Sequence, residues 1–177
     1  NLFEDVKRAE IERQVAVNLM GPINCMMEAV PYLKKRGGGS MVTISSLAGI
    51  VPETYSSIYT ATKFALRGLG LTLHIELKRH NIHVATVFPD SVDTPMLKFE
   101  AEHGGSPLTF RAPPQSPAAV ARAVYRAIAK KKPEMCVPSF DGFMSKLLMA
   151  FPRIVAWLWP YFERQGLKKK EEYRARV

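Results

Sequence analysis

Three side chains in the first half of the chain have the types and spacing for acid–base work. Tyr59 and Lys63 stand four residues apart, a step that puts both on one face of a helix. A free phenol titrates at about pH 10 and is a poor acid or base near neutrality. An ammonium beside it favours the phenolate and draws that value down, so the pair reads as a general acid/base unit. Ser46 precedes Tyr59 by thirteen residues, and its hydroxyl can bond an oxygen that gains or loses a proton there. Tyr and Lys at this spacing also occur on ordinary helix surfaces, so the spacing alone leaves packing open as the alternative.

The elements that must hold these groups follow from the period of the apolar residues. Val15, Leu19, Ile23, Met26 and Met27 recur at helical spacing, which predicts helix through much of 4–36. A kink or break is expected at Gly21-Pro22, and Gly37-Gly38-Gly39 ends the helix. That glycine run is a turn and not a phosphate loop, since no strand precedes it and no Lys-Ser/Thr pair closes it. Residues 40–45 are short, apolar and β-branched, as in a buried parallel strand. Residues 56–80 read as a helix with Phe64, Leu66, Leu69, Leu73 and Leu77 as its stripe. A strand beginning at Asn81-Ile82 runs through Phe88 and stops at Pro89. This alternation predicts an α/β fold with a parallel sheet and helical crossovers. Ligands of such sheets bind beyond the C-terminal ends of strands, where Ser45 and Ser46 lie.

Residues 90–115 contain Pro95, Gly104, Gly105, Pro107, Pro113 and Pro114 and are expected to be a long irregular segment, which in a compact domain is either functional or disordered. Ser116-Pro117 opens a helix as cap and first residue, with Val120, Ala123, Val124 and Ile128 as its buried stripe. Met135-Cys136-Val137 supplies one more short strand. The expected organisation is a catalytic unit over 1–142 and an apolar helical extension with a basic tail over 143–177. In 143–162, Lys146, Arg153 and two prolines interrupt the apolar run, which is a poor membrane span. Trp157, Trp159 and Tyr161 beside basic residues fit peripheral contact with a membrane interface, a substrate-side lid, or a helical pair packed on the domain. Phe99, Leu108, Phe110, Phe143, Met144, Leu147 and Leu148 are candidates for an apolar substrate lining.

The formal charge of the 177 residues is +9, concentrated at Lys130–Lys132 and around Lys168–Lys170, Arg174 and Arg176. Such a tail is either a solvated, partly disordered end or a surface for anionic partners. The basic residues are not interleaved with aromatics, which argues against nucleic acid. The two cysteines, Cys25 and Cys136, lack metal-ligand spacing and are expected to be buried thiols in a reducing, cytoplasmic setting. No metal site is expected.

The stretch from Gly39 through Ser45-Ser46-Leu47-Ala48-Gly49, followed by Tyr59-Thr60-Ala61-Thr62-Lys63, resembles the short-chain dehydrogenase/reductase family over about residues 4–137. The resemblance implies hydride transfer between an alcohol or ketone and NAD or NADP. Ser46, Tyr59 and Lys63 would be catalytic, and Asn18, in Val17-Asn18-Leu19-Met20-Gly21, would hold a proton-relay water. Tyr59 and Lys63 would also touch the cofactor. Pro89-Asp90-Ser91-Val92-Asp93-Thr94-Pro95 is similar to the family's Pro-Gly-x-Val-x-Thr segment, which implies cofactor contacts from Pro89, Asp90, Val92 and Thr94. Asp90 departs from the usual glycine and resembles the Pro-Pro-Asp-Thr-Asp-Thr-Pro pattern of 3-ketodihydrosphingosine reductases, a hint of a lipid-like substrate. On this reading the substrate is a small hydrophobic ketone or alcohol, bound by Ser46, Phe99, Leu108, Phe110, Phe143 and Leu147. The resemblance also implies a homo-oligomer paired through the outer faces of the helices that carry Asn18 and Tyr59. The family's glycine-rich fingerprint and Asn-Asn-Ala-Gly stretch do not occur here. The residues therefore correspond to the later half of a Rossmann-like doubly wound parallel sheet with helices on both faces, the N-terminal half being absent from this chain. These 177 residues alone are expected to lack useful cofactor binding and activity, and a family member without catalysis would act as a binding protein.

Overall fold

A computed structural model describes residues 1–176. Three parallel strands, β1 (Gly39–Ile44), β2 (Ile82–Pro89) and β3 (Glu134–Val137), lie in that order across one sheet. Every residue of β2 is buried, as a central strand covered on both faces must be. Its side chains alternate between two helical layers. Ile82 and Val84 meet Leu73 and Leu77 of α3 (Ser57–Leu77) together with Val30 and Leu33 of α2 (Gly21–Lys35). Ala85 and Val87 meet Ala123 and Ala127 of α5 (Pro117–Ala129) on the other face. Gly70 of α3 lies against the Thr86 hydroxyl, where a Cβ would have no room. Because α3 and α5 cover opposite faces while the strands advance in one direction, the two crossovers have opposite hands, and one departs from the right-handed rule.

The N-terminal helix is shorter than its apolar period suggests. It starts at Arg8, with Phe3–Asp5 a separate 3₁₀ turn. Between α1 (Arg8–Val15) and α2 the expected kink at Gly21-Pro22 is replaced by a π-helical turn, Ala16–Met20. Pro22 has no N–H to return to Asn18, and the Gly21 N–H reaches back to Ala16 O, so one wide turn absorbs the missing donor. Helix α3 ends at Leu77, three residues early, in a 3₁₀ turn, and Asn81 takes the left-handed conformation (φ 55°) before β2 begins.

Residues 90–115 are more ordered than expected. Pro95 starts a helix instead of breaking one: α4 (Pro95–His103) carries it in the first turn, where a missing N–H does no harm. A 3₁₀ turn, Pro107–Phe110, follows, and Val92 pairs with Gln115. Ser116 caps α5 as expected, its hydroxyl accepting from the Ala119 N–H at 3.2 Å. The basic tail is also ordered. After α6 (Ser139–Met149), α7 (Pro152–Arg174) runs through it and docks on the Pro107–Phe110 turn. Gly166 sits flush on the Pro107 backbone, and Lys170 Nζ donates to Gly104 O at 2.6 Å. Of the two thiols, Cys25 is exposed and Cys136 half-buried, so neither is the fully buried group expected. Among the described residues no helix is long and apolar enough to cross a membrane.

Candidate active site

Strand β1 delivers two serines past its C-terminal end, and their surroundings separate them. Ser45 is buried and its hydroxyl donates to Lys63 O at 3.2 Å, tying the strand end to α3. Ser46 faces the cavity; its Oγ accepts from the Ala48 N–H at 3.1 Å, capping the short turn Leu47–Gly49. Tyr59 and Lys63 stand one turn apart on α3, with Lys63 Nζ 5.2 Å from the centre of the Tyr59 ring. Thr62 donates back to Tyr59 O at 2.7 Å.

The electrostatics run against the expectation from the Tyr59–Lys63 pair. The phenol is pushed up to about 12, chiefly by burial; the Ser46 hydroxyl bond works downward, and the charges of Glu53 and Glu100 push it further up. Burial in turn lowers the Lys63 ammonium, which weakens the cation that was to draw the phenol down. Tyr59 therefore carries its proton at neutral pH. Glu53, raised to about 8 by burial and then by the charges of Asp90 and Glu100, is a site residue that period and motif reasoning missed. Its only sequence signal is a lone carboxylate in the loop between Ser46 and the helix that carries Tyr59.

Two adjoining cavities meet here. The first, about 320 Å³, is lined by Ser46, Tyr59, Pro89, Asp90, Ser91, Val92, Thr94, Glu53 and Glu100, among others. The second, about 380 Å³, is mainly apolar, with Leu47, Val51, Leu108, Met144, Leu148 and Trp159 in its wall. Glu53 and Asp90 line both. Asp90 accepts from the Ser91 N–H at 2.8 Å; its carboxyl is raised by burial first and by Asp141, against the Ser91 N–H and Arg111. Thr94 precedes α4, its hydroxyl donating to Val92 O at 3.2 Å. Asn18 lies in the π-helical turn, which packs against α3, but it does not line either cavity.

Of the expected apolar lining, Leu108, Met144 and Leu148 border the second cavity. The structure places the rest elsewhere. Phe143 and Leu147 are exposed on the outer side of α6, Phe110 is buried against Leu97 and Tyr173, and Phe99 is exposed and stacked on His103 at 4.1 Å. Residues one position apart on a helix point about 100° apart, so Met144 and Leu148 face in while Phe143 and Leu147 face out.

The first cavity fits the nicotinamide end of a dinucleotide better than its phosphates. The buried Ser91 hydroxyl lacks a hydrogen-bond partner among the described residues, and such groups are rarely left so without a ligand or water. No Lys or Arg of the described residues lines the cavity, while four acidic side chains do, Glu10, Glu53, Asp90 and Glu100, which disfavours phosphate there.

A family model described as short chain dehydrogenase matches residues 1–104. A 3-ketodihydrosphingosine reductase from Bos taurus is 34% identical over 109 residues, 62% of this chain and 32% of the relative. The chain thus spans about a third of the length of the curated relatives it matches. Among solved structures, a short-chain dehydrogenase from Streptomyces avermitilis superimposes with a TM-score of 0.70 at 23% identity, covering 91% of this chain and 65% of that one. ElxO with NADP bound gives a TM-score of 0.67 at 23% identity, covering 77% and 59%. At these identities the structural likeness shows the fold: an α/β arrangement whose parallel strands and two helical layers agree with the sequence reading.

Proposed function

Because the chain belongs to the short-chain dehydrogenase family, we propose that the complete protein reduces an apolar ketone to an alcohol, with Tyr59 as the proton donor. NADH or NADPH, when bound, would supply the hydride chemistry at the carbonyl carbon. Ser46 donates its hydroxyl hydrogen to the carbonyl oxygen and fixes it beside the phenol. Tyr59 gives its proton to that oxygen as negative charge builds there. Lys63, one turn along α3, supports the phenolate left behind. Asn18 acts through the π-helical turn packed against α3, as a relay that returns a proton toward Lys63. Pro89, Asp90, Val92 and Thr94 border the nicotinamide end, and further strands that hold the rest of the dinucleotide would pair at the free edge of β1, where Ile44 is exposed.

The observation that carries the reading is the junction of the two cavities. A carbonyl held at Ser46 and Tyr59 has an apolar chamber of about 380 Å³ immediately beyond Glu53 and Asp90, which suits a bulky or long-chain substituent. A homo-oligomer would use the outer faces of α2 and α3, where Met27 and Ile75 are exposed. The test is consumption of reduced nicotinamide by the complete protein against a panel of ketones. Apolar ketones are expected to be turned over with the highest kcat/KM; preference for small charged sugars would overturn the substrate reading.

A further inference from the structure

The hairpin of α6 and α7 carries a surface that the proposed reaction leaves unused. Phe143, Leu147, Phe151, Ile154, Trp157 and Tyr161 are all exposed. Trp157 is the extreme case, at 79%. They occupy the outer side of α6, the tip of the hairpin, and one stripe of α7 at three- and four-residue steps. An exposed apolar patch of this extent on a folded surface marks an interaction site. The inner sides of the same helices are already occupied: Trp159 donates its indole N–H to Thr54 at 3.2 Å, and Met144 and Leu148 line the apolar cavity.

The order of residues along α7 identifies the partner. From the tip outward the stripe runs Phe151, Ile154, Trp157, Tyr161, then Arg164 and Lys168, both exposed. Apolar groups come first, ring systems with a polar edge next, cations last, ending at Glu171. This is the depth profile of a bilayer interface, with acyl chains, then the aromatic belt, then phosphates. Arg153 lies near the apolar tip, but its long stem can carry the guanidinium back to phosphate level. A two-fold contact with a second copy through the same stripe would set Arg164 and Lys168 against the partner's apolar tip, an unfavourable burial of unpaired charge. No described helix can span a bilayer, so contact is limited to insertion from one side.

We propose that the α6–α7 hairpin docks obliquely on an anionic lipid surface, its apolar tip just below the headgroup–acyl boundary while Arg164 and Lys168, about 20 Å and more further along α7, meet lipid phosphates. The apolar cavity, walled by the same two helices, then opens next to the lipid phase. The proposal rests on the hairpin surface and not on the reaction assigned above.

The test is flotation of the complete protein with vesicles of phosphatidylcholine alone or with about 30% phosphatidylserine, an anionic fraction that gives a strong surface potential. Wild type is expected to float with the anionic vesicles. Phe151→Ser/Trp157→Ser and Arg164→Glu/Lys168→Glu should each lower partitioning by about tenfold or more, with turnover of a water-soluble ketone unchanged. That last readout separates failure of docking from failure of the enzyme assignment. Wild type that stays unbound with both vesicle types would overturn the proposal. So would variants that float as well as wild type, or tip variants that dissolve a dimer in light scattering without altering vesicle binding.

Discussion

Replacing Glu53 with Gln tests the electrostatics of the site without touching the proton donor. The folded protein raises this carboxyl from 4.5 to about 8, with burial the first cause and Asp90 and Glu100 next. In the unfolded chain Glu53 ionises as pH passes about 4.5; in the folded chain it stays protonated until about 8. Between those values the folded state binds more protons, so stability falls as pH rises through the window and the loss is complete above it. At about 1.36 kcal/mol per pH unit the full effect is on the order of 5 kcal/mol. The cavity opens to solvent, which screens part of this, leaving about 2–4 kcal/mol. Gln carries the shape of the protonated acid and no titration. Urea unfolding of wild type and Glu53→Gln at about pH 5 and about pH 9 should show near-equal stabilities at the lower value and a more stable variant at the higher one. Parallel profiles for the two proteins would refute the reasoning.

Three further outcomes are expected. Gly166→Ala places a methyl group in the Pro107 backbone and should destabilise by about 1–3 kcal/mol or more in urea unfolding, because α7 can no longer seat on its turn. Glu134→Gln breaks a half-buried junction in which the carboxylate takes Arg67 Nε at 2.7 Å and also Lys146 Nζ. Burial works against that charge, but the Arg67 and Lys146 bonds outweigh it and lower the carboxyl, so wild type should lose the stabilisation as pH falls below about 4.5 while the variant, less stable by about 1–3 kcal/mol at neutrality, does not. Leu148→Trp fills the second cavity and should raise KM for a bulky ketone at least about tenfold while a short ketone keeps its kcat.

The groups carried by local spacing were readable in advance. Tyr59 and Lys63 share a helix turn, and Ser46 ends the strand before it, so a motif in one stretch of chain locates all three. Cap chemistry likewise located the start of α5 at Ser116-Pro117. What depends on distant segments was not readable. The direction of the Tyr59 shift is set by burial and by Glu53 and Glu100, which reach the phenol from different parts of the chain. The two faces of α6 were not told apart, with Phe143 and Leu147 taken as lining beside Met144 and Leu148, because Phe140, Phe143, Met144, Leu147 and Leu148 make the helix apolar on most sides and period alone does not order two apolar faces. Pro95 was read as a breaker because the same residue that ends helices also begins them. The basic tail looked solvated because its docking rests on one glycine and one lysine, Gly166 and Lys170, neither of which has a distinctive pattern.

The most direct measurement of the central claim is single-turnover ketone reduction by the complete protein and its Tyr59→Phe variant. Removing the phenolic proton while keeping the ring should slow the step by about 10²–10⁴-fold with little change in cofactor affinity. An undiminished rate in the Phe variant would contradict the assignment of Tyr59 as the acid.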